Sequence, residues 1–108
     1  MEETMPNFMI AYYGGKQPGS KDEGMAQMGK WKAWVEGLGK AIVNPGTPLP
    51  ASKIVTSGGV EEDTDPNSMK GFAVVQAETM EAAVEMAKSD PFLDNGGTIR
   101  VSLMMEMK

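Results

Sequence analysis

Apolar residues recur with a period of two in several stretches of the chain, which is the spacing of a β-strand. The first strand is predicted over residues 7–13, where one side carries Phe8, Ile10 and Tyr12. Short and long strands are predicted over residues 53–57, 71–78 and 98–107. Residues 58–68 are polar and acidic and predict a turn region.

Apolar residues at three- and four-residue steps predict two helices between these strands. The first helix begins at Ser20, which forms a capping box with Glu23. The second is capped by Thr79 and has a buried side formed by Met80, Ala83, Val84 and Ala87. The first helix is expected to bury a stripe that contains Met25, Met28, Trp31, Val35, Leu38 and Ile42.

The resulting order, β-α-β-β-α-β, predicts a ferredoxin-like α+β fold with a four-stranded antiparallel sheet and both helices on one face. The strand at 71–78 is apolar on both sides, with Phe72 and Val74 on the side away from Ala73 and Val75. If one side of this strand faced water, polar and apolar residues would alternate more regularly along it. We therefore expect a second copy to cover this face, giving a two-fold homodimer and a dimeric α+β barrel.

A chain of 108 residues is expected to be one domain, here residues 7–108 after a flexible tail at 1–6. Ten basic against 15 acidic residues give a formal charge of -5, which disfavours nucleic acid and anionic membranes as partners. No apolar run approaches the length of a membrane span, and the N-terminus is unlike a signal peptide. A cytoplasmic location is the expectation.

Histidine and cysteine are both absent, which excludes thiolate nucleophiles and the usual zinc ligands. Residues 24–31 imitate a phosphate loop but end in Trp31 where Ser or Thr is required. Residues 63–74 begin like a calcium loop but lack its glycine and its final glutamate. We expect no metal and no cofactor.

Asp90-Pro91-Phe92 precedes the last strand and is followed by a Gly96-Gly97 hinge. Through this turn, the opening strand at residues 7–13 and the helix that carries Trp31 and Trp34, the chain resembles the YCII-related family, including its DGPF-type relatives. The resemblance implies a small dimeric α+β-barrel protein. Some relatives of that barrel fold isomerise or dehydrohalogenate small lactones.

The resemblance also implies a site. In the YCII branch, a histidine on the first helix and the aspartate of the turn are thought to form an active-site pair. Asp90 matches that aspartate, whereas the position of the histidine falls near Lys30 and Trp31. The Asp-Gly-Pro-Phe motif of the DGPF branch is replaced by the acidic segment at residues 61–65.

Asp90 is the first candidate for catalysis, because burial near Tyr12 or Trp31 would raise its pKa and suit it to general acid or base chemistry. The alternative is a turn aspartate that binds only the local backbone. Tyr12 is a candidate for orienting a polar ligand, and Lys30 is a weaker catalytic candidate. Trp31, Trp34 and Phe92 are candidates for walling a pocket, with ordinary core packing as the alternative.

Two functions follow. Without a histidine, the first hypothesis is a small-molecule binding or accessory module. The second is a small lyase or isomerase in which Asp90, with Tyr12 or Lys30, acts on a lactone-like or unsaturated acid. A cleft that places Asp90 beside a buried aromatic residue would favour the enzyme, whereas a closed core there would favour binding or a structural role.

Overall fold

The computed structural model describes residues 5–16 and 19–105. Four strands form an antiparallel sheet in the order β2-β5-β1-β6, and two further strands form a separate hairpin, β3-β4. Within the described residues, neither helix has the length and hydropathy needed to cross a bilayer. The elements are β1 (Asn7–Tyr13), α1 (Lys21–Leu38), β2 (Ile42–Asn44), β3 (Lys53–Thr56), β4 (Gly59–Glu62), β5 (Met69–Gln76), α2 (Met80–Lys88) and β6 (Thr98–Leu103).

The main sheet confirms the ferredoxin-like prediction, because its elements follow the order β1-α1-β2-β5-α2-β6. β1 lies inside the sheet, between β5 and β6, and is antiparallel to both. In that register Ile10 is opposite Ala73 on one side and Val101 on the other. The predicted bounds of the first strand are confirmed, and the other long strands differ from prediction at their ends.

The core lies between the helices and one face of this sheet. Phe8, Ile10 and Tyr12 project from β1 into it, as their spacing predicts, and all three are buried. From the other elements the buried members of the cluster are Trp34, Ala73, Val75, Ala77, Ala83 and Ala87. The small alanines of α2 let this helix approach the sheet closely.

The capping box of α1 forms as predicted: Ser20 Oγ accepts the Glu23 N–H at 3.1 Å, and Glu23 Oε2 accepts the Gly19 N–H at 2.6 Å. The helix ends before Gly39, whose φ of 55° is one that glycine adopts without strain. Ile42 therefore does not extend the helical stripe; it contacts the core from β2.

The predicted second strand of the main sheet was wrong. That position belongs to β2, whereas β3 pairs only with β4, with Val55 opposite Val60. The turn predicted over residues 58–68 thus contains a strand. A local hairpin closes a much shorter loop than a pairing across the domain, so the apolar residues of β3 take the nearest partner.

The N-terminal half of the predicted α1 stripe was also wrong. Met25 and Met28 are exposed, because this end of the helix overhangs a cleft and only its C-terminal half packs on the sheet. β6 ends at Leu103, short of the predicted 107, and Met104 N–H still donates to Asn7 O at 2.9 Å. Residues 1–4 of the predicted tail and residues 106–108 lie outside the described residues.

The face of the sheet away from the helices carries apolar residues, as predicted. Val74 there is only 7% exposed, and Ala11 beside it is also buried. At the edge of this face the Arg100 guanidinium lies 5.2 Å from the centre of the Tyr13 ring. Coverage of this face by a second copy stays a prediction.

Candidate functional site

Asp90 lies where α2 gives way to a short 3-10 helix, Pro91–Asn95. Its side chain caps this turn, since Oδ1 accepts the Phe92 N–H at 2.9 Å. Pro91 fits the first helical position because it has no N–H to satisfy. Asp90 therefore binds the local backbone of the turn, as one of the two interpretations of the sequence expected. Its side chain is also buried, and the residue is only 2% exposed.

The second carboxylate oxygen of Asp90 binds Tyr12. The Tyr12 hydroxyl donates to Oδ2 at 2.6 Å, although the two residues are 78 positions apart in the chain. This O···O distance is typical of a charge-assisted hydrogen bond from a hydroxyl to a carboxylate. Tyr12 is itself only 6% exposed, so the bond lies in a region of low dielectric.

Burial shifts both groups towards their neutral forms. It raises the pKa of Asp90, and the hydrogen bonds from Tyr12 and the Phe92 N–H offset part of that rise. Burial also raises the pKa of the Tyr12 phenol, the Asp90 carboxylate raises it further, and the Trp31 indole acts in the opposite direction. Tyr12 therefore keeps its proton at neutral pH, and Asp90 is a stronger base than an exposed aspartate.

A cleft of about 330 Å³ opens beside this pair. Tyr12 forms part of its wall, whereas Asp90 lies behind Tyr12 and does not. Trp31 and Phe92 line the same cleft, which places three of the predicted site residues together. The wall is otherwise formed by Gly14, Lys16, Gly24, Gln27, Met28, Thr47, Pro48, Leu49, Pro50, Lys70, Gly71, Phe72, Pro91 and Asn95.

Phe92 is held against Tyr12 by close packing. Their ring centres are 4.9 Å apart and the rings are tilted by 40°. A Cβ atom at Gly97 would lie 2.2 Å from the Phe92 ring, so only glycine leaves room for it. The pair of glycines that the sequence indicates as a hinge thus makes space for an aromatic side chain of the site.

A pair of amides joins α1 to the 3-10 helix across the cleft wall. Gln27 Nε2 donates to Asn95 Oδ1 at 2.6 Å, and Asn95 Nδ2 donates to Gln27 Oε1 at 2.9 Å. Asn95 O also accepts the Lys16 N–H at 3.0 Å. No pattern in the sequence indicates this pair, because no spacing along the chain connects residues that are 68 positions apart.

Two predicted site residues lie elsewhere. Trp34 is 8% exposed and its indole N–H lies 3.1 Å from Met86 O and 3.2 Å from Ser89 Oγ, so it packs in the core and positions the end of α2. Trp34 thus takes the core-packing alternative stated from the sequence, because the helical turn that aims Trp31 at the cleft aims Trp34 at α2. Lys30 is exposed and does not line the cleft.

Lys16 and Lys70 also line the cleft, although they were not predicted from the sequence. Lysines in loops and at strand ends are ordinarily solvated, so neither had a signal that marked it out. Among the described residues, no group of three or more carboxylates comes together to hold a metal ion.

The fold of this chain is shared with a solved enzyme structure. It is similar to 5-chloro-2-hydroxyhydroquinone dehydrochlorinase (TftG) from Burkholderia phenoliruptrix in complex with 2,5-dihydroxybenzoquinone, with a TM-score of 0.59 and 21% sequence identity. The match covers 94% of this chain and 95% of the other. A comparison with proteins of curated function found no match. The model of the YCII-related domain matches residues 5–108, and the chain therefore belongs to the YCII-related domain family.

Proposed function

We propose that this protein is a small enzyme of the lyase or isomerase type, which moves a proton on a planar, unsaturated substrate bound in the cleft. The observation that carries the proposal is the 2.6 Å bond from Tyr12, in the cleft wall, to Asp90, buried behind it. A carboxylate with a raised pKa, bound to the hydroxyl of a residue that lines the cleft, supplies the parts of a proton relay.

In this relay the substrate meets Tyr12. A C–H or O–H bond of the substrate gives its proton to the Tyr12 oxygen, while the Tyr12 proton passes to the Asp90 carboxylate. The electron pair left on the substrate forms a new double bond. In a lyase the bond to the leaving group breaks, its electron pair departs with the anion, and Asp90 then loses the proton through Tyr12 to that anion or to water. In an isomerase an existing double bond shifts, and another carbon of the substrate takes up the proton that Asp90 returns through Tyr12.

The cleft also bears on the choice between binding and catalysis. The missing histidine favours a binding module, whereas the hydrogen bond that connects the buried Asp90 to Tyr12 in the cleft wall favours an enzyme. Trp31 and Phe92 provide flat apolar surfaces for a ring or a conjugated chain. The dehydrochlorinase with the similar fold, solved with a quinone bound, supports a substrate of this shape.

The test is proton transfer itself. The protein is incubated in heavy water with small lactones, unsaturated acids and hydroxylated quinols, and NMR follows the replacement of carbon-bound substrate protons by deuterium together with product formation. Tyr12→Phe removes the relay hydroxyl, and we expect it to lower the rate by about 10² or more. Asp90→Asn removes the base and should have a comparable effect.

Tyr13→Phe is the matched control, because it removes the same hydroxyl one residue along β1, from a side chain on the other face of the sheet. Its rate should equal that of the wild type. A Tyr12→Phe protein that is folded by circular dichroism and exchanges substrate protons at the wild-type rate would contradict the proposal. Tight binding without exchange in the wild type would also contradict it and would favour the binding module.

A further inference from the structure

The charge of the cleft is opposite to that of the chain. The chain has a formal charge of -5, yet among the described residues the only ones with a formal charge in the cleft wall are Lys16 and Lys70. No aspartate or glutamate of the described residues lies in this wall. A cleft that is locally basic in an acidic protein concentrates anions.

Lys70 is placed at the cleft by an irregularity in the sheet. Tyr12 is opposite Gly71 and Tyr13 is opposite Met69, so the register skips Lys70. A bulge of this kind re-aims a side chain and is common beside active sites. The Lys70 backbone is fixed by its carbonyl, which accepts the Leu49 N–H at 2.8 Å.

Lys16 is placed by the loop that follows β1. Gly14 and Gly15 have φ values of 70° and 83°, a region that glycine enters without strain. The Lys16 N–H then donates to Asn95 O at 3.0 Å, which attaches the loop to the 3-10 helix of the site. The position of Lys16 in the cleft wall is therefore fixed through its main chain.

Neither lysine is neutralised by a carboxylate of the described residues. The ion pairs there join Lys53 to Glu62 and Lys88 to Glu85. Lys70 Nζ donates to the hydroxyl of Ser68 at 3.0 Å, which leaves two of its three N–H donors for a ligand. Asp90, the carboxylate behind Tyr12, already accepts from Tyr12 and from the Phe92 N–H.

We infer that the cleft is specific for a small planar organic anion, whose charged group is bound by Lys16 and Lys70 and whose flat body lies on Trp31 and Phe92. This inference rests on the proposed function for its site and adds the charge of the substrate to it. A neutral planar molecule of the same shape would contact the aromatic surfaces and leave both ammonium groups to water.

The test compares two probes of nearly equal shape, 2-naphthoate and 2-naphthamide, which differ in charge. Each is titrated into the ¹⁵N-labelled full chain, with the indole N–H of Trp31 and the amides of Gly14 and Gly71 as reporters of the cleft. Two partly exposed charge pairs predict that the naphthoate binds about tenfold more tightly than the amide. The preference should weaken as salt is added.

Lys16→Met and Lys70→Met keep the aliphatic stem and remove the charge. Each should lower the naphthoate affinity severalfold and leave the naphthamide affinity unchanged. Lys32→Met is the matched control, since Lys32 is exposed on α1 and does not line the cleft. Equal affinity for the two probes, a naphthoate preference that survives both substitutions, or no naphthoate shifts at the reporters would overturn the inference.

The same data separate this inference from the proposed function. Suppose that the protein prefers naphthoate through the two lysines but exchanges protons on no substrate. This result would support an anion-binding cleft and contradict the proposed enzyme. Proton exchange on neutral substrates with no preference for anions would support the enzyme and overturn the inference.

Discussion

Tyr12 and Asp90 form a coupled pair in which each residue sets the state of the other. The phenol satisfies one carboxylate oxygen, the Phe92 N–H satisfies the other, and both side chains are buried. Each of these residues could be selected from the sequence as a candidate, because Asp90 lies in a distinctive turn and Tyr12 ends a strand. Their contact could not, because it depends on how β1 and the end of α2 come together.

Removing the Tyr12 hydroxyl should destabilise the fold. In Tyr12→Phe the Oδ2 atom of Asp90 loses its donor inside the core, and an unsatisfied buried polar group costs about 1–3 kcal/mol. Urea denaturation at neutral pH measures the loss. Tyr13→Phe should cost far less, and combining Tyr12→Phe with Asp90→Asn should cost less than the sum of the two single changes. Additive losses would mean that the two residues do not interact.

The raised pKa of Asp90 predicts a pH dependence of stability with a definite sign. The folded protein holds this proton more tightly than the unfolded chain, so the contribution is fully present below the unfolded pKa of about 3.9. It is lost as the pH rises through the folded pKa of Asp90. Asp90→Asn does not titrate, and thermal melting of both proteins isolates the effect.

The melting temperature of the wild type minus that of Asp90→Asn should therefore fall as the pH is raised from just below 3.9 to neutrality. Other carboxylates titrate in both proteins and cancel in this difference. A difference that rises with pH would mean that Asp90 has a lowered pKa in the folded state.

At the scale of elements, the patterns that the sequence indicates best are those whose partners are close in the chain. The caps of both helices form at Ser20 and Thr79 as predicted, because a cap depends on residues three apart. The second strand of the sheet could not be chosen correctly. The three residues of β2 are too few to show a period, whereas those of β3 look like a strand and pair with β4 instead.

Gly29 offers a stabilising substitution in α1. A Cβ atom there meets no other atom within 4 Å, and the residue lies in a helix interior on the exposed side. Gly29→Ala should therefore raise the free energy of unfolding by up to about 1 kcal/mol, since alanine is the better helix former. Chemical denaturation checks it, and a loss of stability would mean that this side of α1 is packed against something.

Gly97→Ala should change the stability in the opposite direction to Gly29→Ala. Its Cβ atom would meet the Phe92 ring at 2.2 Å, so the ring must move. We expect a loss of about 1–3 kcal/mol from overpacking. The Tyr12 and Trp31 NMR signals should shift, because Tyr12 packs on Phe92 and Trp31 shares the cleft. Unchanged stability and unchanged Tyr12 signals would show that Phe92 is not held as described.

At the scale of the whole molecule, the described chain is flat, with extents of 47 × 41 × 18 Å. Flatness follows from two layers, one of helices and one of sheet, with the far face of the sheet left apolar around Val74. The apolar residues on both sides of the strand at 71–78 are enough to predict this face. The cleft cannot be predicted from such patterns, because its walls are formed by loops, a sheet irregularity and one end of α1.

The apolar face of the sheet away from the helices predicts a two-fold dimer. Sedimentation should give the mass of two chains, and Met9→Lys, at a half-buried position of this face opposite Val74, should reduce it to one by placing a charge in the contact. Val55→Lys is the control, because Val55 is exposed on the separate hairpin and should leave the mass unchanged. A wild-type protein that sediments as a single chain would contradict the dimer.

The most direct test of the proposed site is the pKa of Asp90, measured by carboxyl-carbon NMR titration of the wild type and of Tyr12→Phe. The account predicts a value above the reference of about 3.9 in the wild type, because burial outweighs the two hydrogen bonds. It predicts a further rise in Tyr12→Phe, which removes one of those bonds. A wild-type value at or below the reference, unchanged by Tyr12→Phe, would contradict a buried and coupled pair poised for proton transfer.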